Sequence, residues 1–208
     1  MGTCGKTKTI HEKIVGGSPA KLHGWPWIAV LGFKVRISPF FASSRHNTIF
    51  KKKQLQNPDQ RERSEIKFGC GGSLITNRHI LTAAHCLVGS QNLEIARLGE
   101  HVIDDDSDGA SPKDFAIVNI TIHKDYNQRA YDNDIAILTL NETVVFSDAI
   151  SPICLPSLDV SKSQAVSQNK FVSTQPFVAG WGSTRFRGPS SKQLLEIWLT
   201  VRELAESS

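Results

Sequence analysis

Leu81-Thr82-Ala83-Ala84-His85-Cys86 is a short β-prone run that ends in a histidine, with a cysteine directly behind it. A cysteine at that point can staple the turn and hold an imidazole still. Downstream, Asp132-Asn133-Asp134-Ile135-Ala136-Ile137-Leu138 plants an acid at the mouth of an apolar strand. A carboxylate beside a histidine is what general-base chemistry requires: it selects the imidazole tautomer and stabilises the imidazolium that forms when a proton is taken. Alone, His85 reads as an ordinary structural histidine. The downstream acid makes it a candidate base.

Working outward, the flanking sequence reads as strands. His79-Ile80-Leu81-Thr82 feeds His85, and Cys70-Gly71-Gly72-Ser73-Leu74-Ile75 precedes it. Trp25-Pro26-Trp27-Ile28-Ala29-Val30-Leu31-Gly32-Phe33 is an apolar run closed by turn residues and reads as the first core strand. Further β-prone runs fall at 93–98, 115–122 and 135–140, and a polar Ser/Gln-rich connector, 157–175, leads to runs at 177–182 and 194–201. Many short strands with turn signals between them predict an all-β barrel or sandwich. Between Lys34 and Phe68 no period is read, and the segment is expected to be a long loop. No internal repeat is visible.

Composition sets the outer limits. A chain of 208 residues with 39% apolar residues can fill one large or two small cores. No apolar run is long enough to span a bilayer, and Met1-Gly2-Thr3-Cys4-Gly5-Lys6 shows no signal peptide. The four cysteines, Cys4, Cys70, Cys86 and Cys154, lack the short paired spacings of a zinc site; they lean toward disulfides and an oxidising compartment, with three pairings open. Those two readings conflict, and an incomplete N-terminus is the preferred explanation. The net charge of +4 comes from one place: residues 34–67 hold nine Lys or Arg against three acids, leaving 15 against 17 elsewhere.

Ile14-Val15-Gly16-Gly17, Trp25-Pro26-Trp27, Cys70–Ile75, Leu81–Cys86, Asp132–Leu138, Pro152-Ile153-Cys154-Leu155-Pro156 and Val178-Ala179-Gly180-Trp181-Gly182 occur in one order. Together they resemble the chymotrypsin-like (trypsin-type) serine endopeptidases. Arg97-Leu98-Gly99-Glu100-His101 and Asp108–Pro112 look like the clip-domain subgroup of invertebrate haemolymph and venom, although no clip domain is read in these residues. The resemblance implies an all-β, chymotrypsin-like double β-barrel, with the first barrel complete and the second only partly present. It divides the chain into a propeptide stub, 1–13, and an incomplete peptidase domain, 14–208: a first barrel at 14–156 carrying the basic insert 34–67, then a connector and the start of a second barrel at 157–208.

Residue by residue, His85 matches the family's general base and Asp134 its orienting acid, while Asp132 is read as a turn acid. Lys13-Ile14 matches the activation cleavage site. The implied disulfides are Cys70–Cys86, bracing the histidine loop, and Cys4–Cys154, keeping the stub attached. The implied protein is extracellular and acts in a proteolytic cascade of the immunity or melanisation type. Its partners are protein substrates, an upstream activating protease and serpin-type inhibitors, with no nucleic acid and no membrane. No cofactor is required.

The departure from the pattern is the nucleophile. The family's serine lies in a Gly-Asp-Ser-Gly-Gly run, and the 208 residues contain none. Ser73 lies on a strand before the histidine and Ser183 merely follows the Trp-Gly turn, so neither is taken for it. The expectation is a chain truncated before the catalytic serine and inactive as it stands; the alternative is a non-catalytic protease homologue acting as a binding or regulatory protein.

Three stretches stand apart. Glu100 and Asp114 flank an acidic loop with Asp104, Asp105, Asp106 and Asp108, which suggests a structural calcium, an ion that prefers about six to eight oxygen ligands. Asn119-Ile120-Thr121 and Asn141-Glu142-Thr143 are glycosylation sequons. The basic insert, with Lys51-Lys52-Lys53, Arg61 and Arg63, is an exosite for a polyanion, a solvated insertion or translated intron; Val35-Arg36 and Val201-Arg202 begin both unfamiliar stretches with the same dipeptide.

Overall fold

The structure is a computed structural model that describes residues 4–9, 11, 17–37, 63–89, 92–156 and 172–202. Nine strands are described: β1 (Ser18–Pro19), β2 (Ile28–Ile37), β3 (Arg63–Leu74), β4 (His79–Thr82), β5 (Leu93–Leu98), β6 (Lys113–Ile122), β7 (Ala136–Leu140), β8 (Phe177–Gly180) and β9 (Leu195–Trp198). Six of them close a barrel in the order β2-β3-β4-β7-β6-β5, with β5 returning to pair with β2. Closure leaves no free edge in that unit. A separate antiparallel sheet has the order β1-β9-β8.

Period-2 alternation explains the barrel interior. Along β7, Ala136, Leu138 and Leu140 point inward and are buried, whereas Ile137 and Thr139 do not. Ile80 and Thr82 do the same on β4. Ile80, Ala136, Leu138 and Leu140 join Leu31, Leu74 and Leu98 in one core. The first part of strand β2, Ile28–Leu31, is apolar on both faces because both are covered: Ala29 and Leu31 face the barrel core, while Ile28 and Val30 join Trp181, Leu194 and Ala20 in a second cluster. The two units are packed together through that strand. Trp181 Nε1–H also donates to the His101 carbonyl, 3.1 Å away, across the same boundary.

The barrel has no spare room where β3 crosses β4. A methyl group added at Gly72 would stand 2.6 Å from Ile80 Cγ2 and 3.0 Å from the Leu81 carbonyl oxygen. Gly72→Ala is therefore expected to lower stability by about 1–3 kcal/mol, read as a lower denaturation midpoint with an unchanged m-value.

Two expectations need correction. The segment from Lys34 to Phe68 is not a loop throughout, because β2 and β3 extend into it and pair Lys34 with Ile66, Val35 with Glu65, Arg36 with Ser64 and Ile37 with Arg63. The alternation Phe33, Val35, Ile37 was present but is only five residues long and interleaved with Lys34 and Arg36. Residues 38–62, including Lys51–Lys53 and Arg61, lie outside the described residues. The division at residue 156 is also crossed: β1, at Ser18–Pro19, pairs with β9 and belongs to the second sheet.

Candidate active site

His85 stands on a single 3-10 turn, Ala84–Cys86, immediately after β4. Ala84 and Cys86 are buried and anchor the turn, leaving His85 between them at the surface. The Cys70–Cys86 disulfide ties the turn to β3. Strands β4 and β7 are antiparallel neighbours with Thr82 opposite Ala136, so the exit of one and the entry of the other share one end of the barrel. That register brings Asp134, two residues before β7, to His85. Asn133 takes a left-handed φ of 54° just before it, and its side-chain amide donates to the Asp125 carbonyl at 3.0 Å, fixing the approach.

Asp134 holds His85 with both oxygens. Oδ2 lies 2.7 Å from His85 Nδ1, and Oδ1 accepts the backbone N–H of His85 at 2.8 Å. An ionised carboxylate only accepts, so Nδ1 carries the proton and Nε2 presents its lone pair. The His85 side-chain bond holds the Asp134 carboxyl below its ordinary value of 3.8 against a partial desolvation that raises it; the backbone N–H groups of His85 and Ala84 and the imidazolium charge add to the lowering. A depressed carboxyl pKa contributes stability above its unfolded value and loses it as pH falls through the folded value. The grip on His85 thus persists into acid below pH 3.8.

Nε2 is the working face of the ring. It approaches Cys86 Sγ at 3.6 Å, and the Tyr131 ring stands roughly perpendicular to the imidazole, 5.9 Å away centre to centre. Among the described residues no serine bonds to it. Ser73 sits in the β3 ladder opposite Ile28 and Leu81, and the Ser183 hydroxyl donates to the Arg185 carbonyl. Cys70, His85 and Cys86 cluster closely enough to suggest a metal site, but both sulfurs are spent in the disulfide. Cys4 pairs with Cys154, which accounts for all four cysteines. Asp132 takes part through its backbone carbonyl, which accepts from Asn127 N–H at 3.0 Å. Lys13 and Ile14 lie outside the described residues.

The acidic loop has an internal cation. Arg97, opposite Asp114 across β5 and β6, donates Nε–H to Asp114 Oδ1 at 2.6 Å and Nη2–H to Oδ2 at 2.8 Å. Its Nη1–H reaches Glu100 Oε2 at 3.2 Å, and Glu100 Oε1 accepts from the His101 N–H at 2.9 Å. Asp105 is spent on Ser107, and Asp108 on the backbone N–H groups of Val102 and Ala110. The oxygens expected to bind calcium are thus committed to protein donors. Calcium would reach Glu100 and Asp114 only by displacing Arg97. Asn119 and Asn141 are both exposed, so each sequon is accessible.

A family model described as Trypsin matches residues 46–208. The chain belongs to the trypsin family. Its all-β build and closed six-strand barrel are those of the chymotrypsin-like fold. The solved structure titled as the Drosophila Grass clip serine protease of the Toll pathway superposes with a TM-score of 0.65 at 32% identity, over 96% of this chain and 50% of that one. Among trypsin-family relatives, the venom serine protease Bi-VSP of Bombus ignitus is 39% identical over 95% of this chain and 47% of its own length. The proclotting enzyme of Tachypleus tridentatus is 34% identical over 96% of this chain and 46% of its own. The chain spans about half the length of these relatives.

The sequence reading missed Arg97 as the partner of Glu100 and Asp114, Tyr131 beside His85, and a contact of His11 with Glu196. Only Arg97 had a local signal, at three residues before Glu100.

Proposed function

We propose that this chain carries the general-base half of an extracellular trypsin-like serine endopeptidase of a proteolytic cascade, activated by cleavage at Lys13–Ile14. The observation that carries the reading is the two-oxygen grip of Asp134 on His85, which leaves Nε2 poised to take a proton from a hydroxyl nucleophile. The names of relatives, among them a proclotting enzyme and a Toll-pathway protease, support the cascade setting. Two disulfides and two exposed sequons are compatible with secretion. Protein substrates, an upstream activating protease and serpin-type inhibitors are the partners that this reading brings. On this reading the chemistry needs no cofactor, and Glu100 and Asp114 both bond to Arg97.

The 208 residues contain no Gly-Asp-Ser-Gly-Gly run, and among the described residues no serine bonds to His85. The base can still be tested directly. Proton NMR of wild-type protein is expected to show a far-downfield Nδ1–H resonance from the His85–Asp134 pair, retained as pH is lowered through 3.8. Asp134→Asn, whose amide would donate to Nδ1 and select the other tautomer, should abolish that resonance. A resonance that survives the substitution would show that Asp134 does not orient the ring.

A further inference from the structure

The segment ahead of Lys13–Ile14 is tied to the body at two points. Near its start, Cys4 is bonded to Cys154 and the Gly5 N–H donates to the Pro152 carbonyl at 2.7 Å. Further along, His11 is inserted among aromatic rings, 4.2 Å from Trp25 and 5.5 Å from Phe177, centre to centre. Its Nδ1 lies 2.9 Å from Glu196 Oε2, and the same oxygen accepts the Trp25 Nε1–H at 2.7 Å. Glu196, on β9, is 5% exposed, and the His11 side chain 12%.

The chemistry makes this seat specific but limited in strength. A carboxylate withdrawn from water needs donors, and His11 supplies one of the two that reach Glu196 Oε2. Against that, His11 Nε2 is buried and meets no partner among the described residues, which costs free energy in every protonation state of the ring. A seat held by one buried side-chain contact and weakened by one orphaned nitrogen can open without unfolding the barrel.

We propose that His11 is a positioning residue that seats the segment preceding Lys13–Ile14 on Glu196, and that this bond is cut from the form in which His11 has left the seat. The inference rests on the reading of Lys13–Ile14 as the activation bond and adds how its cleavage is controlled. A protease that cuts after a basic residue lays the substrate chain extended in its cleft, and His11 is the third residue back from the bond. With its ring packed against Trp25 and tilted toward Phe177, His11 itself is not free to enter the cleft of a second protein. Where opening and closing are fast, the cutting rate follows the open population. In the cut, water adds across the Lys13 carbonyl carbon and the Ile14 nitrogen, leaving a carboxylate on Lys13 and an amine on Ile14. His11 is unchanged, and its segment stays attached through Cys4–Cys154.

The test is limited trypsin digestion, with mass spectrometry following cleavage after Lys13 and, as an internal reference, after the exposed Arg187. His11→Ala is expected to speed cleavage after Lys13 by about tenfold or more, since a hydrogen bond to a charged group is worth at least that factor. Cleavage after Arg187 should not change. His11→Asn, which restores a donor near Nδ1 without the ring, should fall between. Gly24→Ala should also accelerate the first cut although no polar group of the seat is altered, because its methyl would stand 3.1 Å from His11 Cε1, as well as 2.9 Å from the Lys21 carbonyl oxygen. Equal rates after Lys13 in wild type and His11→Ala would overturn the inference. So would equal acceleration at both sites, which marks general loosening. If no variant is cut after Lys13 while Arg187 is, the activation reading itself fails and takes the inference with it.

Discussion

Incubated with a serine-directed fluorophosphonate after cleavage at Lys13–Ile14, the 208-residue chain is expected to remain unlabelled. Its turnover of lysyl and arginyl anilides should lie on the order of 10⁶-fold below that of a family member with a complete triad. The reason is at Nε2 of His85. Asp134 fixes the ring with Nε2 turned away from the carboxylate, but a base accelerates nothing without a hydroxyl to deprotonate. Ser73 is held in the β3 ladder and Ser183 bonds to Arg185, so neither is presented to Nε2. Activated esters that react with free imidazole would give slow background release, so the stoichiometry of probe labelling is the decisive reading. One label per chain, abolished by His85→Gln, would reveal a nucleophile elsewhere in these 208 residues. Absence of label with retained binding to a protease or substrate would favour the regulatory alternative.

The second large effect is expected at Arg97. Replacing it with Ala leaves the Glu100 carboxylate, whose side chain is only 4% exposed, with the His101 N–H as its remaining bond. Breaking one partner out of a buried ion pair typically costs about 3–5 kcal/mol, which for a chain of this size lowers the melting temperature by roughly 6–20 °C. The guanidinium also covers the Phe68 ring at 4.6 Å, so some of the loss is packing. Arg97→Ala/Glu100→Ala should recover a measurable part of the loss, because the stranded charge is removed with its partner. The same melts carry the calcium question: millimolar calcium should not stabilise wild type relative to chelator, since Arg97 already occupies both Asp114 oxygens and Glu100 Oε2. A calcium-dependent rise of several degrees in wild type would show that the guanidinium yields to the ion.

Strands that bury one face in the barrel were legible from their residues. Runs at 79–82, 93–98 and 135–140 are short, β-prone and bounded by turns, and burial alternates along β4 and β7 in the structure. The β2–β3 extension was not, because five alternating residues among charges carry too little apolar surface to stand out; its described part is held by ladder hydrogen bonds that any side chains permit. The candidate base and acid were legible through ordered motifs. The partner of the acidic loop was hidden for a different reason: sequence shows which carboxylates are close along the chain, but not which cation register places among them.

The residues alone determined an all-β chain, the choice of His85 with Asp134 and the even cysteine count, because alternation and short motifs are local properties. Tertiary structure alone decided that Asp134 holds His85 with two oxygens, that Arg97 stands between Glu100 and Asp114, and that His11 meets Glu196. Each of these depends on strand register or on chain closure between distant residues. Hydrogen-bond geometry is set within tenths of an ångström by that closure, and no local pattern encodes it.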